Sequence, residues 1–240
     1  MNYIKSYCRI VPGRVTLNGD LFFESDFGTR ANPDSNPNVV SGFTTDVNQS
    51  LSPEEKLRSA HDFFSAIYGH IGADYRKFYK MDALSKLGFI SSEILLARLD
   101  KESPKEDMGI VLFNRNSSLE TDRRYQKTIQ NKEDFFPSPA EFVYTLPNIV
   151  TGEIAIRNKI YGETAFYIAS DFCSDSICEV VDDMMNLAGM KYVLAGWTEV
   201  DAFTGDINGL MLLCEAEDLC GGHEEKGRMM PLQSDVLKDL

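Results

Sequence analysis

The stretch TAFYIASDFCSDSICEVVDDMMNLAGMKYVLAG, residues 164–196, decides the fold class of this protein. It begins and ends with short apolar runs, residues 164–170 and 191–196, which are typical of β-strands covered on both faces. Between them Gly189 marks the end of a helix whose apolar side chains recur at helical spacing: Ile177, Val180, Val181, Met184 and Met185. Strand, helix and strand in this order make a βαβ unit, which needs a parallel sheet with helices on its faces. The sequence therefore predicts an α/β fold.

The sequence around this unit predicts two further helices and two further strands. Ser52, followed by a proline and two glutamates, is the start signal of a helix that we expect to run to about Tyr68. A second, amphipathic helix is predicted within residues 81–100, where one apolar stripe is formed by Leu84, Leu87, Ile90, Ile94 and Leu95. The continuous apolar run of residues 108–114 predicts a strand covered on both faces, and residues 207–217 predict a last strand.

Two segments lack such periodicity. Residues 32–48 are rich in Asn, Pro, Ser and Asp, which favour turns, so they predict an irregular excursion at the surface. Residues 219–240 are mostly polar and predict a carboxy-terminal tail. The remaining residues 1–218 are long enough to form one domain around one hydrophobic core.

The net charge of −13 excludes several classes of partner. A chain this acidic repels nucleic acid and anionic membranes at long range, so we expect neither as a partner. No run reaches the roughly 20 apolar residues that span a bilayer, and the N-terminus lacks the apolar core of a secretory signal, so we expect a cytoplasmic protein. The five cysteines contain no CxxC pair, which favours reduced thiols over disulfides or a metal site: Cys8, Cys173, Cys178, Cys214 and Cys220. We expect neither a metal nor a cofactor.

The segment FFPSPAEFVYTLPNIVTGEIAIRNKIYGET, residues 135–164, resembles the β-ketoacyl synthases. In that family a Thr-x-Pro-Asn motif begins a helix, and a Gly then precedes the strand that leads to the nucleophile. MDALSKL, residues 81–87, resembles a family helix that opens with Met-Asp, and residues 109–126 resemble the second core strand with its loop. VLAGWTEVD, residues 193–201, resembles the family's Ala-Gly-Gly strand, with Trp197 in place of the second Gly.

The resemblance implies the thiolase-like fold, with the order βαβαβαββ and a mixed, mostly parallel sheet of about five strands covered by helices. The chain has about the size of the family's amino-terminal half. In the family two such halves pack together, and protomers dimerise through the sheet edge near the nucleophile strand. Because a single half lacks its counterpart, we expect this chain to expose a large apolar face.

The position of the family's nucleophilic Cys is occupied by Asp171. In the family that Cys lies nine residues after the Gly that matches Gly162 and 25 residues before the Gly that matches Gly196, and both counts reach Asp171. A synthase needs a thiolate there to take an acyl chain from a thioester, and a carboxylate does not serve. We expect Asp171 to cap the following helix instead. The alternative is that Cys173, two residues later, acts as the nucleophile.

The resemblance also assigns roles outside this position. The family uses two His and a Lys in its carboxy-terminal half, whereas the histidines of this chain lie outside every family motif and are expected to be structural: His61, His70 and His223. Three residues match the Thr-x-Pro-Asn motif and imply a place at the dimer interface or acyl tunnel: Thr145, Pro147 and Asn148. A basic cluster is the candidate docking patch for an acidic acyl carrier protein, with a solvated charged face as the alternative: Arg123, Arg124 and Lys127.

These observations lead to three hypotheses. The first is a non-catalytic, synthase-like subunit of fatty-acid or polyketide biosynthesis, including aryl-polyene-like pathways, that pairs with an active synthase or dimerises with itself. Chain-length factors, which lack the Cys, pair with synthases in this way. The second is a stand-alone acyltransferase or thioesterase that uses Cys173 or a water activated near Asp171. The third is a scaffold or ligand-binding module, because a fold does not fix a function.

Overall fold

The computed structural model describes residues 2–25, 27, 51–219 and 229–240 of the chain. Its strands are β1 (Tyr3–Val11), β2 (Arg14–Leu17), β3 (Asp20–Glu24), β4 (Met108–Asn114), β5 (Thr164–Ile168), β6 (Tyr192–Val200), β7 (Ile207–Glu215) and β8 (Met230–Pro231). They form one mixed sheet in the order β3-β2-β1-β7-β6-β4-β5, with β8 paired to β1.

Five of these strands form the sheet core that the sequence predicts, in the order β1-β7-β6-β4-β5. β4 pairs in parallel with β5 and β6, whereas β7 is antiparallel to both β6 and β1. Four of the five strands therefore run in one direction, and β7 runs in the other. This arrangement confirms the predicted α/β class with a mixed, mostly parallel sheet core. The hairpin of β2 and β3, together with β8, extends the sheet beyond it.

The described helices are α1 (Pro53–His70), α2 (Ala83–Leu95), α3 (Leu119–Ile129), α4 (Pro139–Val143), α5 (Ile149–Asn158), α6 (Ser174–Asn186) and α7 (Ser234–Asp239). Apart from the β2–β3 hairpin, helices separate the core strands from β1 to β6, and β7 follows β6 directly, which is the predicted order βαβαβαββ. The helices α1, α2 and α5 share one hydrophobic cluster on one face of the sheet. The helices α6 and α7 share the second cluster on the opposite face.

The two long helices before β4 begin at their caps. At α1 the Ser52 hydroxyl accepts the Glu55 N–H, and the Glu55 carboxylate accepts the Ser52 N–H at 3.0 Å, which makes a capping box. At α2 the carboxylate of Asp82 accepts the Ser85 N–H at 2.9 Å. These bonds satisfy N–H groups that a helix start leaves free, and at α1 the sequence signal at Ser52 located the start.

The sheet face that carries α2 is covered. All 13 residues of α2 are buried, because α1, α5 and the 3-10 turn Arg76–Lys80 pack around this helix. Phe64 and Ile67 of α1 are fully buried, and Phe78 of the turn packs 5.7 Å from the Phe89 ring of α2. The sheet face that carries α2 is therefore covered by other parts of the chain and does not expose an apolar surface.

Strand β5 also differs from its expected environment. All seven residues of β4 are buried, as the apolar run predicts, but β5 is the last strand of the described sheet and is only partly covered. Tyr167 and Ile168 are exposed. A short apolar run is common to central and edge strands, so the sequence alone does not distinguish them.

The carboxy-terminal segment differs from the expected polar tail where the structure describes it, at residues 229–240. There β8 pairs with β1, and α7 packs against α6. Leu232 and Leu237 are buried in the second hydrophobic cluster, and Val236 and Leu240 pack against it. The expected surface excursion at residues 32–48 lies outside the described residues, as do Cys220 and His223.

Candidate functional site

The candidate site lies where the parallel strands end, at the turn that joins β5 to α6. β5 ends at Ile168, and the Ala169 N–H donates to the Asn114 carbonyl at the end of β4 at 2.9 Å. Asp171 is exposed in the turn. It does not cap α6, because the N-cap is Cys173, which makes no side-chain capping bond. The prediction that Asp171 caps α6 is therefore wrong, because the helix begins two residues later. Asp171 is exposed to solvent.

The thiol of Cys173 is not activated in this turn. Burial raises its pKa above the usual value, and the hydrogen bond with Ser176 opposes this increase only in part. Cys173 packs against the second hydrophobic cluster, whereas His61 is on α1, which packs against the first cluster across the sheet. A nucleophilic Cys needs a lowered pKa or an adjacent base, and the described residues supply neither.

An aromatic pair lies next to the turn. Trp197 replaces the second Gly of the family motif, and only 5% of its side chain is exposed. Its indole meets the ring of Phe172 edge to face, with 6.0 Å between the ring centres. A large, buried side chain therefore packs against the residue that lies between Asp171 and Cys173.

Two glycines that anchor the count to Asp171 are required by close packing. A Cβ on Gly162 would lie 2.3 Å from the Met108 carbonyl oxygen, and one on Gly196 would lie 2.0 Å from the Leu210 carbonyl oxygen. Any other residue would clash with the backbone of a neighbouring strand. Close packing therefore requires glycine at both positions.

A polar network that the sequence analysis missed lies beside the turn, at the ends of β4 and β6. Both oxygens of the Glu199 carboxylate accept bonds at 2.6 Å, one from the Arg115 N–H and one from the Asn116 amide. The Arg115 guanidinium also bonds Asp201 at 2.5 Å. Burial acts to raise the pKa of Asp201, but its bonds from the backbone N–H groups of the β6–β7 turn outweigh this and hold the pKa below its usual value. The network ties the β4–α3 loop to the β6–β7 turn.

The Thr-x-Pro-Asn motif connects to the same loop. The Ser118 hydroxyl, just before α3, donates to the Thr145 carbonyl at 2.6 Å. Asn148 is exposed and is the N-cap residue of α5, although its side chain makes no capping bond. Leu146, inside the motif, is half exposed. The motif therefore places an apolar side chain at the surface near the candidate site.

The expected basic patch is partly neutralised within the chain. Arg123 donates to the Ala202 carbonyl at 2.6 Å, and Arg124 pairs with Glu120 and Glu141 at 3.3 and 3.0 Å. Lys127 has no ion-pair partner among the described residues. The patch borders a cleft of about 410 Å³ between α1 and α3.

The base of this cleft is formed by His61. Its Nδ1 lies 3.0 Å from the Lys86 ammonium. Burial, and then the charges of Lys86 and Arg124, lowers the pKa of His61 to about 4. The neutral ring accepts the bond from Lys86, so His61 has the structural role that the sequence predicts.

Comparison with solved structures identifies the class of protein that has this fold. No protein-family model and no curated protein matches the sequence. The ishigamide ketosynthase/chain length factor matches with a TM-score of 0.58 and 14% identity, over 91% of this chain and 63% of that chain. A type II polyketide synthase acyl carrier protein in complex with its ketosynthase matches with a TM-score of 0.51 and 12% identity, over 94% and 64%. A ketosynthase in complex with its chain length factor from Xenorhabdus doucetiae has a TM-score of 0.45 and 18% identity, over 60% and 61%.

The fold of this chain is therefore the thiolase-like fold of ketosynthases and chain length factors, as the sequence resemblance implies. The chain spans 61 to 64% of the length of the three solved chains. Among the helices that the structure describes, none has the length and apolar character needed to cross a membrane.

Proposed function

We propose that this chain is a non-catalytic, ketosynthase-like subunit that pairs with an active synthase homologue or with a second copy of itself. One observation carries the proposal: strand β5 has a free edge in the described sheet, and exposed apolar side chains surround it. These side chains, which we call the β5 edge surface, are Ile156, Tyr161, Tyr167, Ile168 and Phe172.

A free strand edge favours pairing because its N–H and C=O groups are not bonded to another strand. Protein sheets normally protect such an edge with charged residues or cover it, whereas the two residues that end β5 are Tyr167 and Ile168. Exposed apolar side chains in one region are typical of interaction sites. The resemblance to β-ketoacyl synthases implies dimerisation at this edge, so the sequence and the exposure support the same surface.

The absence of catalysis in the proposal rests on the β5–α6 turn. The nucleophile position holds Asp171, the thiol of Cys173 has a raised pKa, and Trp197 packs against the residue between them. These features argue against the alternative of a stand-alone acyltransferase or thioesterase. In the proposal this chain shapes or stabilises a partner subunit, and the partner subunit is the catalyst.

The pathway and the carrier protein are further parts of the proposal. We infer that the subunit acts in cytoplasmic fatty-acid or polyketide synthesis, where an acyl carrier protein docks near Lys127. The support is that the structures with this fold include complexes of a ketosynthase with a chain length factor and with an acyl carrier protein.

Pairing is tested by light scattering of the purified chain, alone and co-expressed with an active ketosynthase homologue. We expect a dimer in one of the two samples, and we expect Ile168→Lys to weaken it by about tenfold or more, because a charge replaces an apolar contact in the interface. Leu187→Lys is the control, since Leu187 is also apolar and is more exposed, at 81% against 60% for Ile168, but follows the C-terminal end of α6 and lies outside the β5 edge surface. A chain that stays monomeric in both samples would contradict the proposal.

Catalysis is tested separately by mass spectrometry after incubation with acyl carrier proteins loaded with a range of acyl groups. We expect no acyl adduct on the chain. An adduct on Cys173 that disappears in Cys173→Ala would make the chain an enzyme and would leave the pairing result untouched.

A further inference from the structure

A second pocket lies far from the candidate site, near the start of β1 and the end of α2. Its volume is about 640 Å³, within the range of about 300–1,000 Å³ that is common for small-molecule sites. It is bounded by the β2–β3 hairpin, the segment that follows α1, and the residues from Glu93 to Lys101. It contains no residue of the β5–α6 turn, the β5 edge surface or the basic patch. It is therefore separate from everything that the proposed function uses.

The walls of this pocket are largely apolar. They come from four elements, the segment after α1 and the loop after α2: Leu17, Phe22, Ile71, Ile94, Leu99 and Leu213. Leu213 and Ile94 also belong to the first hydrophobic cluster, so this part of the wall is fixed by the core. A rigid apolar cleft favours a ligand with a hydrocarbon chain, because contact removes apolar surface of both from water.

One side of the pocket is charged. The carboxylate of Glu93, only 4% exposed, bonds both Lys101 and Arg157, and the Arg157 Nε distance is 3.3 Å. Two cations thus share this carboxylate in a site that is partly shielded from solvent. The Glu102 carboxylate also acts on Arg157 but is itself bonded to Lys159, so three cations meet two carboxylates and one positive charge remains uncompensated. Shielding makes such a charge act more strongly than it would in water.

The remaining charged residues of the lining are placed nearer to solvent. Arg98 is exposed and has no ion-pair partner among the described residues. Asp74 is also exposed. Lys5 is paired with Glu215 at 3.1 Å. Four cations therefore face three carboxylates around the pocket, a positive local balance in a chain whose net charge is −13.

We propose that this pocket binds a monocarboxylic acid with an unbranched hydrocarbon chain. The carboxylate of the ligand lies at Arg98, Lys101 and Arg157, where donors and uncompensated charge are available. The hydrocarbon chain lies along the apolar walls. A ligand of this class matches both sides of the pocket, whereas a free phosphate leaves the walls in water and a neutral alkane leaves the cations without an anion.

The test is calorimetric titration of the intact chain with decanoate, decanol and inorganic phosphate. We expect decanoate to bind at one site per chain, decanol to bind more weakly by about tenfold or more, and phosphate not to bind measurably. Decanoate affinity should fall as salt is added, because part of it is electrostatic. Equal binding of decanoate and decanol, binding of phosphate alone, or no binding of any probe would each overturn the proposal.

Two variants locate the site. Arg98→Glu should lower decanoate affinity by about tenfold, and Lys132→Glu, which changes the net charge equally at an exposed position outside the pocket, should not. Ala97→Trp should fill the pocket and abolish binding, and both positions are exposed, so the fold is expected to be retained. Unchanged decanoate affinity in Arg98→Glu and Ala97→Trp would place the ligand elsewhere and refute the assignment.

Discussion

Helix α2 and strand β5 have similarly apolar sequences and opposite environments. All 13 residues of α2 are buried beneath α1 and α5, whereas β5 ends with Tyr167 and Ile168 exposed at the margin of the sheet. The resemblance to one half of a synthase led us to expect an exposed apolar face, which the sequence does not locate. In the described structure the sheet face that carries α2 is covered by other helices, whereas exposed apolar side chains lie at the β5 edge.

The strongest test of this difference makes the same substitution at a covered position and at an exposed position. Ile90 of α2 is fully buried, and Ile156 of α5 is 67% exposed, although both are helical isoleucines. We expect Ile90→Ala to lower the free energy of unfolding by about 2–5 kcal/mol, because it leaves a cavity. Ile156→Ala should change it by no more than about 0.5 kcal/mol in the monomer. Urea denaturation of dilute protein measures both values, and equal losses would mean that Ile156 is covered within the chain.

The pH dependence of stability tests the burial of α1, the helix that covers α2. The pKa of His61, on the helix that covers α2, is lowered from 6.5 to about 4, chiefly by burial. Below pH 6.5 the unfolded chain therefore binds a proton that the native chain does not bind until about pH 4. Stability from this group is intact above pH 6.5 and falls by up to about 3 kcal/mol as the pH decreases towards 4.

The measurement is the free energy of unfolding against pH for three proteins. In His61→Gln the free energy of unfolding should no longer fall by this amount between pH 6.5 and 4. In His70→Gln, at an exposed position on the same helix, it should fall as in the parent chain. If the two variants and the parent chain have parallel pH profiles, then His61 is not held neutral in the native structure.

The smallest expected effect concerns two aspartates that precede helices. Asp82 caps α2 and also accepts a bond from the Thr121 hydroxyl at 2.9 Å, whereas Asp171 makes no cap on α6. Asp82→Ala should lower the midpoint of thermal unfolding, with a loss of about 1–2 kcal/mol. Asp171→Ala should leave stability within about 0.5 kcal/mol of the parent. A comparable loss in Asp171→Ala would restore the capping role that the sequence predicts.

Much of the architecture is predictable from local signals in the sequence. The Ser52 capping box and the buried run of β4 each depend on residues close together in the chain, and the structure contains both. The sequence also predicts the helix α2, but α2 is buried on every side and not on one apolar stripe only. The order of strands and helices follows from these elements, because βαβ units allow few arrangements. The resemblance then implied the thiolase-like fold, which the comparison with solved structures supports, and the assignment of Asp171 to the nucleophile position stays a prediction from that resemblance.

Only the tertiary structure decided which apolar segments are covered. β5 has the composition of a central strand, but its exposure depends on whether another strand lies beside it. The bonds of Glu199 join residues more than 80 positions apart, and the pocket near Glu93 is assembled from several elements, so no local pattern signals either one. Local propensity and periodicity fix the elements because their causes lie within a few residues. Edges, pockets and charge networks arise from distant parts of the chain that only packing brings together.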